Sequence, residues 1–276
     1  MRSLRAAWRL LRMGLHLLHG MAVMALRFAS ADAAERQRHI RWWSAKLVRL
    51  AGLELRVSGT PRPGATLLVA NHVSWLDIAA VHAVAPQARF VSKADVLAWP
   101  LLGWLIRNAG TLFIERERKR DALRVLHQVA EALSAGDMVA VFPEGTTGDG
   151  ETLLPFHANL LQSAIASGTP VQCVAIRYSD PAHRFSPAAQ FLGQTTLLQS
   201  VWRILSARGL CVHVDLLLPQ GARHADRRAL AEHLRALIHA QLHATAAPPE
   251  PASAPLGQTG RRPDADGDPE LLKASP

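Results

Sequence analysis

The sequence predicts an α/β fold: a mostly parallel central sheet flanked by helices, with a helical segment ahead of it. Three observations predict it. From Leu53 onward, short apolar runs alternate with stretches of helical periodicity, the order that puts helices on both faces of a parallel sheet. Four of those runs deliver a polar residue at or just after their C-terminal ends, namely His72, Lys93, Arg116 and Glu144. Ligands of such sheets bind beyond the carboxyl ends of the strands. Finally, 276 residues, 49% of them hydrophobic, are enough for a sizeable core. The expected organisation is a basic helical segment over 1–50, an α/β domain over 51–243 and a disordered tail over 244–276, rich in Pro, Ala, Gly and Asp.

The chain begins with Arg2, Arg5, Arg9 and Arg12, followed by "MGLHLLHGMAVMAL" and Arg27. That apolar stretch is shorter than the roughly 20 residues that span a bilayer, and it contains His16 and His19. It reads as an in-plane amphipathic helix or a shallow re-entrant anchor. "ASADA" at 29–33 also offers an Ala-x-Ala cleavage site. "ERQRHIRWWSAKLVRL" is a second basic amphipathic helix, with Trp42 and Trp43 suited to a membrane interface. The alternative is a helix pair that simply caps the domain.

Strand alternation starts in "LELRVSG", and "GTPRPG" is a turn. "ATLLVA", "ARFVS", "GTLFIER" (110–116), "MVAVF", "PVQCVAI" and "LCVHVDLLL" complete seven strands. Helices are expected from Asp77 to Val84, through "VLAWPLLGWLI" with a distortion at Pro100, and over 119–134 with Leu123, Leu126, Ala130 and Leu133 on one side. A further helix, "ANLLQSAIASG", closes at Gly168, and Asp226 N-caps a last one carrying Leu230, Leu234, Leu237 and Ile238.

The net charge of +9 suits an anionic partner. Nucleic acid is the weaker choice: aromatic residues make up 5%, with one tyrosine, and they do not interleave with basic residues as a stacking platform requires. The arginines gather near the N-terminus, which points to a lipid surface. Cys173 and Cys211 are far apart and read as buried free thiols, and no histidine belongs to a metal-ligand cluster.

Chemistry is suggested by "VANHVSWLDIAAV" (69–81), where His72 and Asp77 stand five residues apart as an apolar strand gives way to an apolar helix. A regular helix would put them on different sides. A strand-to-helix turn brings them together, which is the geometry of an oriented catalytic base. An alcohol needs a base to accept its proton, a neutral imidazole does so near pH 7, and a carboxylate on the other ring nitrogen fixes the tautomer.

"NHVSWLD" (71–77), "GTLFIER" (110–116), "FPEGTTG" (142–148) and "GTPV" (168–171) follow in this order. Together they resemble the four motif blocks of the glycerophospholipid acyltransferases, above all the 1-acylglycerol-3-phosphate acyltransferases. The resemblance covers about residues 35–215. It implies transfer of an acyl group from an acyl-CoA or acyl carrier protein thioester to the hydroxyl of lysophosphatidic acid, at the cytoplasmic face of the inner membrane and with no cofactor. It also implies that Arg116 and Lys93 hold the acceptor's phosphate and that Glu144, Gly145 and Thr146 hold its glycerol part, with Thr147 beside them. Arg116 also reads as a surface charge, Lys93 as a solvated loop lysine and Glu144 as a cap of the next segment. No GxSxG elbow is present, so the acceptor hydroxyl would attack directly, and amides of Gly145 to Thr147 are candidates for the oxyanion. One departure stands out: Thr147, Gly148 and Asp149 follow "EGT" where many relatives carry an arginine. It favours a lyso-ornithine lipid acceptor as the runner-up. A non-catalytic lipid-binding protein of the same fold is the other alternative.

Overall fold

The computed structural model describes residues 2–93, 104, 111–114, 119–223 and 225–244. Two long helices, α1 (Arg2–Arg27) and α2 (Ala33–Ala51), precede seven strands: β1 (Leu53–Ser58), β2 (Thr66–Ala70), β3 (Arg89–Lys93), β4 (Leu112–Ile114), β5 (Met138–Val141), β6 (Val171–Ser179) and β7 (Leu210–Leu216). Between and after them lie α3 (Asp77–Val84), α4 (Lys119–Ser134), a 3-10 turn (Ala158–Leu161) running into α5 (Gln162–Ser167), α6 (Leu197–Ser206) and α7 (Arg227–His243). The expected helix through "VLAWPLLGWLI" and the tail lie outside the described residues.

The strands form one sheet in the order β1-β7-β6-β2-β5-β3-β4. Every neighbouring pair is parallel except β6 and β7. The sheet is therefore mostly parallel and flanked by helices, as the alternation predicted. β6, β2, β5, β3 and β4 all run one way, so the carboxyl ends of β2, β3, β4 and β5 open on the same edge.

Alternation along the central strands feeds two cores. Leu68, Ala70, Met138, Ala140, Val174 and Ile176 point to one face, with Leu47 and Val48 of α2, Ala80 of α3 and Ile204 of α6. Leu67, Val69, Val139, Val141, Cys173 and Ala175 point to the other, with Val125 and Val129 of α4 and Leu230 and Leu234 of α7. β2 is buried along its whole length, which is why it reads as an unbroken apolar run. The buried stripe of α4 is Val125, Val129, Ala132 and Leu133, rotated from the expected Leu126–Ala130 side. Burial pushes the Cys173 thiol up to about 12.

Caps set the helix limits. Asp226 accepts from Arg228 and Ala229 amides at 2.9 Å each, and Asp32 accepts from the Glu35 amide at 2.7 Å; each such cap is worth about 0.5–2 kcal/mol. Helix α6 was not foreseen. Its signal was present: Thr196 and Gln199 form a reciprocal capping box.

The two N-terminal helices pack on each other; α1 also packs on α6, and α2 on α3 and β1. Trp43 turns inward, its indole donating to the His16 carbonyl at 3.2 Å while His16 Nε2 donates to the Trp43 carbonyl at 2.9 Å. A Cβ at Gly20 would collide with that indole. Of the two tryptophans expected at a membrane interface, Trp42 is exposed and Trp43 is not. Arg5 and Arg9, expected to face lipid, instead donate to the carbonyls of Ser206, Leu205 and Ala207 at 2.9–3.0 Å, capping the C-terminal end of α6.

Candidate active site

β2 leads through Asn71 and His72 into α3, whose first residue is Asp77. Asn71 is fully buried. Its amide donates to the Ile176 carbonyl at 2.9 Å and its oxygen accepts from the Ile176 amide at 2.7 Å. A side chain thus continues the β2–β6 ladder past the end of β2 and fixes where the turn begins.

The turn then closes on one carboxylate. Asp77 has no solvent exposure. Its Oδ2 accepts from His72 Nδ1 at 2.7 Å, the Val73 amide at 2.7 Å and the Ser74 amide at 2.9 Å. Its Oδ1 accepts from the Tyr178 hydroxyl at 2.7 Å. Two amides and a hydroxyl already donate to this carboxylate, so it serves as acceptor for the imidazole as well. Nδ1 therefore carries the proton, and Nε2 keeps its lone pair. His72 stacks on Phe142, with ring centroids 4.1 Å apart and planes 12° from parallel, and its side chain stays 20% exposed. The pair is held at one end and open at the other, the arrangement of a base that takes a proton from a bound molecule.

Tyr178, the chain's one tyrosine, is buried. Burial, then the Asp77 charge, holds its hydroxyl well above the ordinary tyrosine range, so it remains a donor. Its position follows from the length of β6: Ala70, the last residue of β2, pairs with Val174, and β6 continues beyond that point under the turn.

A second loop, from Phe142 to Leu154, is stitched to the first. Glu144 is only 5% exposed. Its Oε1 accepts from the His72 amide at 2.8 Å and its Oε2 from the Leu154 amide at 2.9 Å, while the Gly148 amide donates to the His72 carbonyl at 2.7 Å. Burial raises the Glu144 carboxyl, opposed by those two amide bonds and by His72. Glu144 was expected to hold a substrate's glycerol or to cap the next segment; its two oxygens bond backbone amides, clasping the two loops together. Gly145 turns the chain at φ +72°, the left-handed region open to glycine, and its own amide donates to the Phe142 carbonyl at 3.1 Å. Thr146 is exposed. The Thr147 hydroxyl donates to the Phe191 carbonyl, so this side chain is tied into a third loop, whose Phe191 amide donates to the Val73 carbonyl at 3.1 Å. Among the described residues, the amides of Thr146 and Thr147 have no acceptor. Asp149 Oδ1 caps the next turn, accepting from the Glu151 and Thr152 amides at 2.9 and 2.7 Å.

The structure thus brings together His72, Asp77, Glu144, Gly145, Thr146 and Thr147. Lys93 ends β3 at the same sheet edge; its side chain and all of Arg116 lie outside the described residues. Sequence reasoning missed Asn71, Phe142 and Tyr178. The first two stand inside quoted motifs, whereas no local pattern marks Tyr178.

An Acyltransferase family profile matches residues 54–177. The lyso-ornithine lipid O-acyltransferase of Pseudomonas aeruginosa is 43% identical over 225 residues, covering 80% of this chain and 85% of that protein. The chain belongs to the acyltransferase family. Another relative is the 1-acyl-sn-glycerol-3-phosphate acyltransferase of Neisseria meningitidis serogroup B, 41% identical over 68% of this chain and 74% of its own length. The crystal structure of the 1-acyl-sn-glycerophosphate (LPA) acyltransferase from Thermotoga maritima shares the acyltransferase fold, with a TM-score of 0.61 at 19% identity over 88% of this chain and 96% of that one. The chain is thus an acyltransferase.

Proposed function

We propose that this acyltransferase moves a fatty acyl group from an acyl-CoA or acyl carrier protein thioester to the free hydroxyl of a lysolipid at a membrane surface, with His72 as general base. The observation that carries it is the His72–Asp77 bond of 2.7 Å, which leaves Nε2 basic and on the exposed side of the pair. In this reading the acceptor oxygen attacks the thioester carbonyl as its proton passes to Nε2. The C–S bond then breaks, and the leaving thiolate takes that proton from the imidazolium. Thr146 and Thr147 supply amides to the developing oxyanion. No acyl-enzyme forms.

The surface is supplied by α1. Leu4, Trp8, Leu11, Leu15, Leu18 and Leu26 are each more than half exposed and recur at helical spacing along one face. Arg12 is exposed at the border of that stripe, as expected of a helix lying in the plane of an anionic interface. No helix among the described residues is long and apolar enough to cross a membrane. The soluble thioester donors put the reaction on the cytoplasmic face.

Lyso-ornithine lipid is the acceptor favoured by the loop after Glu144. Thr147 stands where many relatives carry an arginine, its hydroxyl is turned to Phe191, and Asp149 adds a carboxylate nearby. The Pseudomonas relative supports that reading. Lysophosphatidic acid is the second reading, supported by Arg116 at the end of the β4 run and by the Neisseria relative. Purified protein, either thioester and a panel of lysolipids, followed by thiol release, tests both. Release with lyso-ornithine lipid and little with lysophosphatidic acid supports the first order, and the reverse overturns it. No thiol release with any acceptor leaves a lipid-binding protein of this fold.

A further inference from the structure

β6 outlasts its parallel neighbour β2, and two residues on that extension meet the catalytic turn. Ile176 bonds Asn71 through both its amide and its carbonyl, and the Tyr178 hydroxyl donates to Asp77 Oδ1 at 2.7 Å. The Ser186 amide holds the Tyr178 carbonyl at 2.8 Å. The ring lies in the same core as Val73, Leu76 and Ala80, which leaves it little room to turn. We propose that Tyr178 is a positioning residue for acyl transfer: it fixes the free oxygen of Asp77, so that the other oxygen stays in line with His72 Nδ1. The proposal rests on the reading of His72 as general base.

Because Tyr178 is the chain's one tyrosine, its hydroxyl can be graded without mutation. Growth on 3-fluorotyrosine changes that hydroxyl alone, making it a stronger acid and donor. We expect Tyr178→Phe to lower kcat about 10- to 100-fold with KM near wild type, and to lower the melting temperature by several degrees because the buried Asp77 Oδ1 loses its donor. In an Asp77→Asn background the same change should cost nothing further, since the oxygen it orients no longer serves the imidazole. The fluorinated protein should fold as wild type and shift kcat but not KM. Full turnover in Tyr178→Phe, or equal losses in both backgrounds, would overturn the proposal. If the phenylalanine variant does not fold, an unchanged kcat in the fluorinated protein does so instead. A wild-type protein without acyl transfer would instead refute the underlying reading.

A second proposal rests on a separate observation at the root of α1. Arg2, Arg5 and Arg208, with Ser206 and Ala207, line a cavity of about 280 Å³. Arg5 is fixed on the Ser206 carbonyl at 3.0 Å. Arg2 and Arg208 are exposed and make no hydrogen bond or ion pair among the described residues. Neither α1, which carries Arg2 and Arg5, nor α6, which ends just before Arg208, contains an acidic residue. Three like charges lining one recess favour an anion among them, and guanidinium is the best fork for phosphate. The exposed side chains of Leu4 and Trp8 flank Arg5 on the same helix, where an acyl chain would lie. We infer that this cavity seats the phosphate of one membrane phospholipid, which deepens the membrane reading above.

The test is flotation on phosphatidylcholine vesicles with and without phosphatidylglycerol. Arg2→Ala and Arg208→Ala should each weaken binding to the anionic vesicles about fivefold. The double variant should lose hardly more than either single one, because both groups serve one phosphate. Arg12→Ala combined with Arg208→Ala should instead multiply its losses, and glycerol 3-phosphate in solution should not displace the protein. Multiplicative losses for the first pair would reduce the cavity to diffuse surface charge, and displacement by glycerol 3-phosphate would make it a site for a soluble phosphate. Either result overturns the seat while leaving membrane binding intact. Absence of vesicle binding in the wild type would refute the membrane reading itself.

Discussion

The catalytic turn and helix α1 handle polarity in opposite ways. In the turn, Asn71, Asp77, Glu144 and Tyr178 are buried, and each has hydrogen-bond partners. In α1, large apolar side chains are exposed, Leu4 at 77% and Leu26 at 80%, while Arg5 and Arg9 reach inward to bond α6. Buried polar groups without partners cost about 1–3 kcal/mol each, so the bonds of these four side chains hold the turn in place, while the Trp75 indole N–H in the same turn is buried without a partner. An exposed apolar face loses nothing in the folded protein alone and gains only when something covers it. On the proposed function, rigidity is built where chemistry occurs and adhesion where the lipid lies.

The comparison breaks most visibly at the base. His72→Ala should lower turnover by about 100- to 10,000-fold, with a melting temperature close to wild type because His72 is partly exposed. Asp77→Asn should cost nearly as much turnover, since it presents a donor where the ring needs an acceptor. Steady-state kinetics and thermal unfolding measure both, and a His72→Ala enzyme with near-normal turnover would refute the mechanism.

The opposite change belongs to α1. Leu11→Glu with Leu15→Glu should reduce vesicle binding at least about a hundredfold, given about 1.5–3 kcal/mol for each buried leucine. Thermal stability and turnover on detergent-dispersed acceptor should hardly change. Equal flotation of variant and wild type would show that the stripe does not touch lipid.

Glu144→Gln lies between these extremes. One amide group would then face a backbone N–H, either from His72 or from Leu154. We expect a loss of about 1–3 kcal/mol in urea unfolding, together with lower kcat because the His72 backbone loosens. A variant with full stability and a raised KM alone would return Glu144 to a substrate-binding role.

The smallest effect concerns pH. Burial lowers the proton affinity of His82, whose Nε2 donates to the Ala88 carbonyl at 2.9 Å. Its folded-state value lies below the unfolded one, so the unfolded chain takes up the proton first as pH falls. Stability is intact above the ordinary histidine value of about 6.5 and declines below it. Urea unfolding across that range should show a shallower decline for His82→Gln than for wild type, and identical slopes would remove His82 from the effect.

Much of this architecture was legible because parallel strands are buried on both faces and read as plain apolar runs. Val69 and Val141 lie at the ends of such runs, and the polar residues just beyond them had to share one edge. The His72–Asp77 contact was legible for the same reason, since a strand-to-helix turn is short enough to bring them together. Tyr178 was not legible, because its partner lies 101 residues away in sequence and strand periodicity says nothing of where a longer strand overshoots its neighbour. The role expected of Glu144 followed motif position, while its bonds follow from burial, which sequence alone does not reveal. The inward turn of Arg5, Arg9 and Trp43 was hidden for a related reason: their acceptors belong to distant or neighbouring helices, and one of those, α6, was not foreseen.

The seat of α1 on α6 has a consequence for synthesis. α1 leaves the ribosome before the sheet, yet Leu205, Ser206 and Ala207, the carbonyls that receive Arg5 and Arg9, come about 200 residues later in the chain. β1 likewise waits for its partner β7, with Leu53 pairing to Leu210. At about 5–20 residues per second, translation of that interval takes on the order of ten seconds or more. Throughout it, α1 has α2 as a partner through the His16–Trp43 bonds, while its leucine stripe and its α6-facing side stay bare. On the proposed membrane reading, that stripe meets the bilayer before the sheet closes, and the enzyme matures where its substrate resides.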